Sequence, residues 1–198
     1  MSRVRFFFDY NSPYSYIAAL QIEKICQRHG ATLLWEPMVI GGIFQADGTN
    51  PPHTIEKRYS YMMQDLKNLS EMHGFPYKER TTFLFNPILS LRATVQVQQG
   101  AERATAVYAL FRGVFAEDRD LGDPETVKDL LTQAGLDGAA LVEGTQQQWV
   151  KDRLRANTDE ALKMGAFGAP TYFLDGEKMF WGHDRLKVLD YFLEKTHK

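Results

Sequence analysis

The chain has 198 residues, 44% of them hydrophobic and 24% charged, with a formal net charge of −2 and one cysteine, Cys26. That composition excludes a disordered or collagen-like chain, and near-neutrality gives no electrostatic reason to bind nucleic acid or a membrane surface. A lone cysteine closes no internal disulfide and builds no thiolate metal site by itself.

Val4 to Phe8 is a β-rich run that ends at Asp9. Its apolar stretch is too short for a secretory segment, so a reducing cytoplasm is the expected compartment. Asn11 or Ser12 can cap a helix that starts at Pro13, where a missing N–H costs nothing. Ile17, Leu20, Ile25 and Cys26 share one face of that helix, which makes Cys26 a small buried hydrophobe, and His29-Gly30 closes it. Thr32 to Glu36 reads as a second strand stopped by Pro37, and residues 41 to 54 read as loop. A helical block follows: Ile55 to His73, Ile88 to Gln99, Ala101 to Phe115, a helix started by Asp123-Pro124 and ending at Gln133, Leu141 to Gln147, and Trp149 to Met164. Met62, Met63 and Met72 are expected in a core or interface, and Trp149 inside the helical block. Thr171 to Leu174 and Lys178 to Trp181 flank Asp175-Gly176, a hairpin turn signal, and a last amphipathic helix passes through Leu186, Leu189 and Phe192.

No run approaches the roughly 20 apolar residues of a membrane helix. The histidines His29, His53, His73, His183 and His197 show no metal-ligand spacing, so no metal is expected. Strands at both ends predict an α/β sheet built from residues 1–54 and 166–198, interrupted by an all-helical insert, residues 55–165.

Three segments could carry chemistry. Asp9 to Ser15 forms the mouth of the first helix, whose free N–H groups and partial positive charge favour an anion. Ser12 there is either a plain cap or a donor to a thiolate. Gly165 to Thr171 holds Pro170 just before a strand, either as ordinary loop or as an edge for a peptide-like ligand. In Phe180 to Arg185, Asp184 either caps the last helix or meets an ammonium group.

Together these pieces resemble a known group. F-D-x-x-S-P-Y-S over Phe8–Ser15, F-G-A-P-T over Phe167–Thr171 and W-G-x-D-R over Trp181–Arg185, with a helical insert between, resemble the DsbA-like proteins of thioredoxin fold. In their disulfide oxidoreductases a C-x-x-C pair occupies the first helix start. Ser12 and Ser15 stand there here, which removes dithiol redox chemistry. With serine in the first slot the chain resembles the 2-hydroxychromene-2-carboxylate isomerases and the kappa-class glutathione transferases, over nearly its whole length. The resemblance implies a thioredoxin-like βαβ…ββα fold, glutathione as cofactor, and a homodimer. It places the serine that hydrogen-bonds the glutathione sulfur on Ser12, with Pro13 and Tyr14 lining the same helix start. It sets Ala169, before a cis Pro170, against the cysteinyl unit, His183 and Asp184 beside the γ-glutamyl end, and the family's loop asparagine on Asn50.

Physical chemistry is consistent with that assignment. A thiol of pKa near 8.5 is only about 3% thiolate at pH 7, and lowering the pKa by about two units needs roughly 2.7 kcal/mol. One hydroxyl donor to a charged acceptor gives about 1.5–3 kcal/mol, and a helix N-terminus about 0.3–1 kcal/mol more. The implied reaction is isomerisation of an aromatic ring-fission product. Lys57 and Arg58 are candidates for the substrate carboxylate, or else a solvated helix face. Phe83 to Pro87 resembles a substrate-side segment, with Phe85 against a flat ring and Asn86 at a polar edge or in a turn. The alternatives are a kappa-type transferase acting on small electrophiles, and a glutathione- or peptide-binding module without catalysis.

Overall fold

The computed structural model describes residues 1–80 and 84–196. Its sheet contains β1 (Arg3–Phe8), β2 (Thr32–Pro37), β3 (Thr171–Leu174) and β4 (Lys178–Trp181), in the order β2-β1-β3-β4. β1 runs parallel to β2 and antiparallel to β3, and β3–β4 is the hairpin expected at Asp175-Gly176. The parallel pair needs a crossover, and α1 (Pro13–Arg28) supplies it.

β1 is apolar because both its faces are covered. Phe6 and Phe8 face one side, where Phe6 lies opposite Tyr172 with ring centroids 5.3 Å apart. Phe7 faces the other, edge-on to Phe173 at 5.7 Å, among Met38, Ile43, Ala161 and Ala166. α1 covers the first face through Ala18, Ala19, Ile22 and Cys26. Cys26 is buried there, as its place on the helix predicts.

Between β2 and β3 the chain forms α2 (Ile40–Asp47), α3 (Glu56–His73), α4 (Ile88–Gln96), α5 (Ala101–Phe115), α6 (Pro124–Gln133), α7 (Gly138–Gly144) and α8 (Gln148–Lys163); α9 (Leu186–Lys195) ends the described chain. The apolar cluster runs without a break from the sheet through Tyr10, Phe111 and Leu91 into α4, α5 and α6. Polar ties reinforce the junction. The buried Arg103 guanidinium donates to the carbonyls of Trp35, Val95 and Val97 at 2.7–3.1 Å, and the Gln99 amide pairs with both main-chain groups of Trp35.

Four expectations need correction. Residues 41 to 54 are not all loop, because α2 and a 3-10 turn at Pro52–Thr54 lie within them. α7 starts earlier than the apolar pattern suggests, since the Asp137 side chain caps it by accepting the Ala140 N–H. Trp149 is exposed, because Val150, Leu154, Asn157 and Ala161 form the inward face of α8. α4 ends at Gln96, short of the expected Gln99, because Val97 turns to extended backbone; Met62 is buried on α3, as expected. Phe83 and His197 lie outside the described residues.

Candidate active site

Ser12 caps α1 with extended backbone (φ −92°, ψ 107°), and its Oγ accepts the Ser15 N–H at 3.2 Å. The same hydroxyl donates to the Ala169 carbonyl at 3.1 Å. The cap and the donor are therefore one atom, and that atom joins the helix start to the loop before β3. The Ala169–Pro170 peptide is cis, and Pro170 O accepts the Gly182 N–H at 3.0 Å, which ties this loop to the turn carrying His183 and Asp184. A methyl on Gly168 would lie 2.6 Å from Trp181 Nε1, so a glycine there lets the indole close over the loop.

Tyr14, in the first turn of α1, organises two more elements. Its hydroxyl donates to Asp65 of α3 at 2.9 Å, and its ring lies parallel to that of His183, 4.8 Å away. Burial, assisted by Asp65, pushes the Tyr14 phenol well above its usual range, so Tyr14 is a neutral donor. Burial also lowers the His183 imidazole against the opposing pull of Asp184 and Asp65.

These groups border a cavity of about 730 Å³, inside the range of small-molecule sites. Ser12, Pro13, Tyr14 and Ala169 line one part of its wall, with Gly168 and Trp181. α2 contributes Ile40, Gly41 and Phe44; α3 contributes Lys57, Arg58, Tyr61 and Met62; Leu84, Asn86, Pro87 and Ile88 form a further side. The wall is mostly apolar, with the exposed Lys57 and Arg58 as its cations.

Asp9 is the acid within this wall, and it is fully buried. Its two oxygens accept the N–H groups of Asn11 at 2.8 Å and Ile40 at 2.9 Å. Burial pushes its carboxyl up to about 6, although those two N–H bonds pull the other way. The carboxylate thus holds the α1 entry and the first residue of α2 against the same cavity.

The structure brings Ser12, Pro13, Tyr14, Ala169, Lys57, Arg58 and Asn86 to one cavity. Pro170 is buried behind Ala169, and His183 touches the wall through Tyr14. Asp184 does not cap α9; it pairs with Arg185 at 2.9 Å in the turn next to His183. Asn50 is exposed beside the lining residue Pro51. Phe85 is not on the wall: its ring packs against the main core with Arg80 5.1 Å over it, while Leu84 and Asn86 face the cavity. Asn86 Oδ1 accepts the Ile88 N–H at 3.1 Å, the turn alternative, and the residue still borders the cavity. Sequence reasoning put Asp9, Asn11 and Trp181 inside candidate segments without giving them a binding role, and missed Ile40 and Phe44 as lining residues. A polar Asp-x-Asn directly before the capping serine was the one available signal. Among the described residues, no three His, Cys, Asp or Glu side chains gather as a metal site would need.

A family model for the DSBA-like thioredoxin domain matches residues 3–194. The chain belongs to that family. It is 28% identical over 193 residues to 2-hydroxychromene-2-carboxylate isomerase of Sphingobium xenophagum, covering 96% of this chain and 97% of the relative. It is 25% identical over 203 residues to glutathione S-transferase kappa 1 of Rattus norvegicus, covering 94% and 88%. Among solved structures, a 2-hydroxychromene-2-carboxylate isomerase superposes with a TM-score of 0.88 at 25% identity, covering 98% of this chain and 95% of that one. The family resemblance read from Ser12, Ala169-Pro170 and the W-G-x-D-R segment is borne out at this level. This member of the DSBA-like family keeps the thioredoxin sheet and has Ser12 and Ser15 at the start of its first helix.

Proposed function

We propose that the protein is a glutathione-dependent isomerase of 2-hydroxychromene-2-carboxylate-type products of aromatic ring fission. The observation that carries this reading is the Ser12 hydroxyl, set at the N-terminus of α1 on the wall of a large apolar cavity, with the Ala169 carbonyl 3.1 Å away. The residues present fit the tripeptide: a helix start and hydroxyl for its sulfur, the Ala169 main chain before Pro170 for its peptide, and Asp184, half-exposed beside Arg185 and outside the cavity lining, for its ammonium group. When bound, glutathione supplies a thiolate that adds reversibly to the conjugated double bond and so permits rotation.

The protein's part is to hold charge and shape. Ser12 Oγ keeps the Ser15 N–H, and a turn about the Cβ–Oγ bond redirects its proton from Ala169 O towards sulfur. Ala169 O, once released by that hydroxyl, would be available to accept a peptide N–H of bound glutathione. The partial positive charge at the α1 start lowers the thiol pKa further. Tyr14 fixes Asp65 and His183 around this end. Lys57 and Arg58 at the mouth receive the substrate carboxylate, while Ile40, Phe44 and Ile88 take the ring.

A kappa-type transferase is the second reading, supported by the kappa relatives at similar identity. One experiment separates the two. Glutathione is supplied with a chromene carboxylate and, in parallel, with 1-chloro-2,4-dinitrobenzene, while absorbance and free thiol are followed. Isomerisation that needs glutathione without consuming it supports the first reading. Stoichiometric thiol loss with the chloronitrobenzene alone supports the second.

A further inference from the structure

We infer that Asn11 is the positioning residue that sets the fit of the electrophilic substrate, acting through the main chain of Phe85; this rests on the glutathione-dependent reading above. Asn11 directly precedes Ser12, and its N–H is held by Asp9 Oδ1 at 2.8 Å, so its backbone is fixed to the thiol end of the cavity. Its side-chain amide turns away from Ser12 towards the insert. Nδ2 donates to Phe85 O at 3.0 Å, and Oδ1 faces the Phe85 N–H at 3.5 Å.

Phe85 itself contributes nothing to the cavity wall, because its ring is packed into the core beneath Arg80. Its neighbours Leu84, Asn86 and Pro87 do line the wall. The main chain of Phe85 is therefore the point from which three wall residues project, and Asn11 grips that point. A carboxamide carries a donor and an acceptor on one planar group, so it can satisfy a peptide unit as another peptide would. Gln99 does the same for Trp35, where a core junction depends on it. At Phe85 the held segment borders a binding site. Two consecutive residues thus divide the work: Ser12 governs the thiol, and Asn11 governs the wall that the second substrate meets.

The test uses Asn11→Ala, which removes both bonds, and Asn11→Asp, which keeps the acceptor but sets a carboxylate against Phe85 O. In both, the KM for the chromene carboxylate should rise about five- to tenfold, the net effect of losing the Asn11–Phe85 hydrogen bonding. The glutathione dissociation constant, measured by calorimetry, should stay within about twofold. Hydrogen exchange across residues 84–88, measured without ligand, should accelerate in both variants. Leu84→Ala at a partly exposed wall position should raise the same KM, and its effect should not add to that of Asn11→Ala. If neither Asn11 variant folds, Leu84→Ala decides, and an unchanged electrophile KM there overturns the inference. Wild-type turnover with an electrophile KM that stays within about twofold in the Asn11 variants overturns the inference alone, as does an equal rise in the glutathione constant. Wild-type protein that binds no glutathione overturns the functional reading beneath it.

Discussion

A single oxygen at Ser12 serves two purposes, and they can be separated. As acceptor it completes the first turn of α1; as donor it holds the Ala169 carbonyl. Ser12→Ala should therefore lower activity about 10- to 100-fold at pH 7, the effect of about 1.5–3 kcal/mol of lost charge stabilisation. The same variant should move the acidic limb of the pH–rate profile upward by about one to two units, which mere loosening of the helix would not do. Asp9 makes a different pH prediction. Its folded carboxyl sits near 6, above the ordinary 3.8, because burial disfavours the charge. A raised folded value means that the native state holds this proton more tightly, so Asp9 favours folding at low pH and loses that contribution as pH rises towards 6. Denaturant titrations of wild type and Asp9→Asn should show a stability difference that shifts by about 3 kcal/mol against wild type between roughly pH 3 and pH 7.

At the scale of elements, α3 is held to the site by few groups. Met62 and Leu66 are its buried side chains, and Asp65 receives the Tyr14 hydroxyl. Tyr14→Phe keeps the ring against His183 and removes only this bond. It should destabilise the protein by about 1 kcal/mol and speed amide exchange in α3 while α1 keeps its protection, as read by mass spectrometry. The same scale shows where sequence reasoning succeeds. α1 and α6 announce themselves, because Ser12-Pro13 and Asp123-Pro124 place a capping side chain before a proline that needs no donor. α2 gives no such sign. Gly41 and Gly42 lower its helix propensity, and Val39 offers no cap. What stabilises it comes from afar: Asp9 on the Ile40 N–H, Thr158 Oγ1 on the Val39 N–H, and Ile43 in the second apolar cluster. Local pattern does not contain those partners, so the cavity wall that α2 supplies stayed hidden with it. Trp149 fails for the converse reason: its size suggests burial, but its position on α8 lies off the inward face.

At the scale of the molecule, sheet and helical block share one core, and Arg103 sits at their junction. Arg103→Ala would strip donors from the Val95 and Val97 carbonyls inside that core. We expect a loss of about 3 kcal/mol and a thermal midpoint lower by roughly 6–12 °C, both measurable by melting and denaturant titration. The succession of strands and helices along the chain, the hairpin and the serine-bearing helix start were legible from sequence because each depends on neighbours in the chain. The continuous core and the cavity depend on residues dozens of positions apart, and only their outline could be drawn. The burial of Cys26 has a chemical consequence at this scale. Its thiol lies under α1, and burial pushes it up to about 12, so it stays protonated and out of reach. A protein that brings a nucleophilic thiolate together with electrophiles is at risk of being alkylated by its own substrates. This chain hides its one thiol, and native protein should resist thiol-directed alkylating reagents until it unfolds.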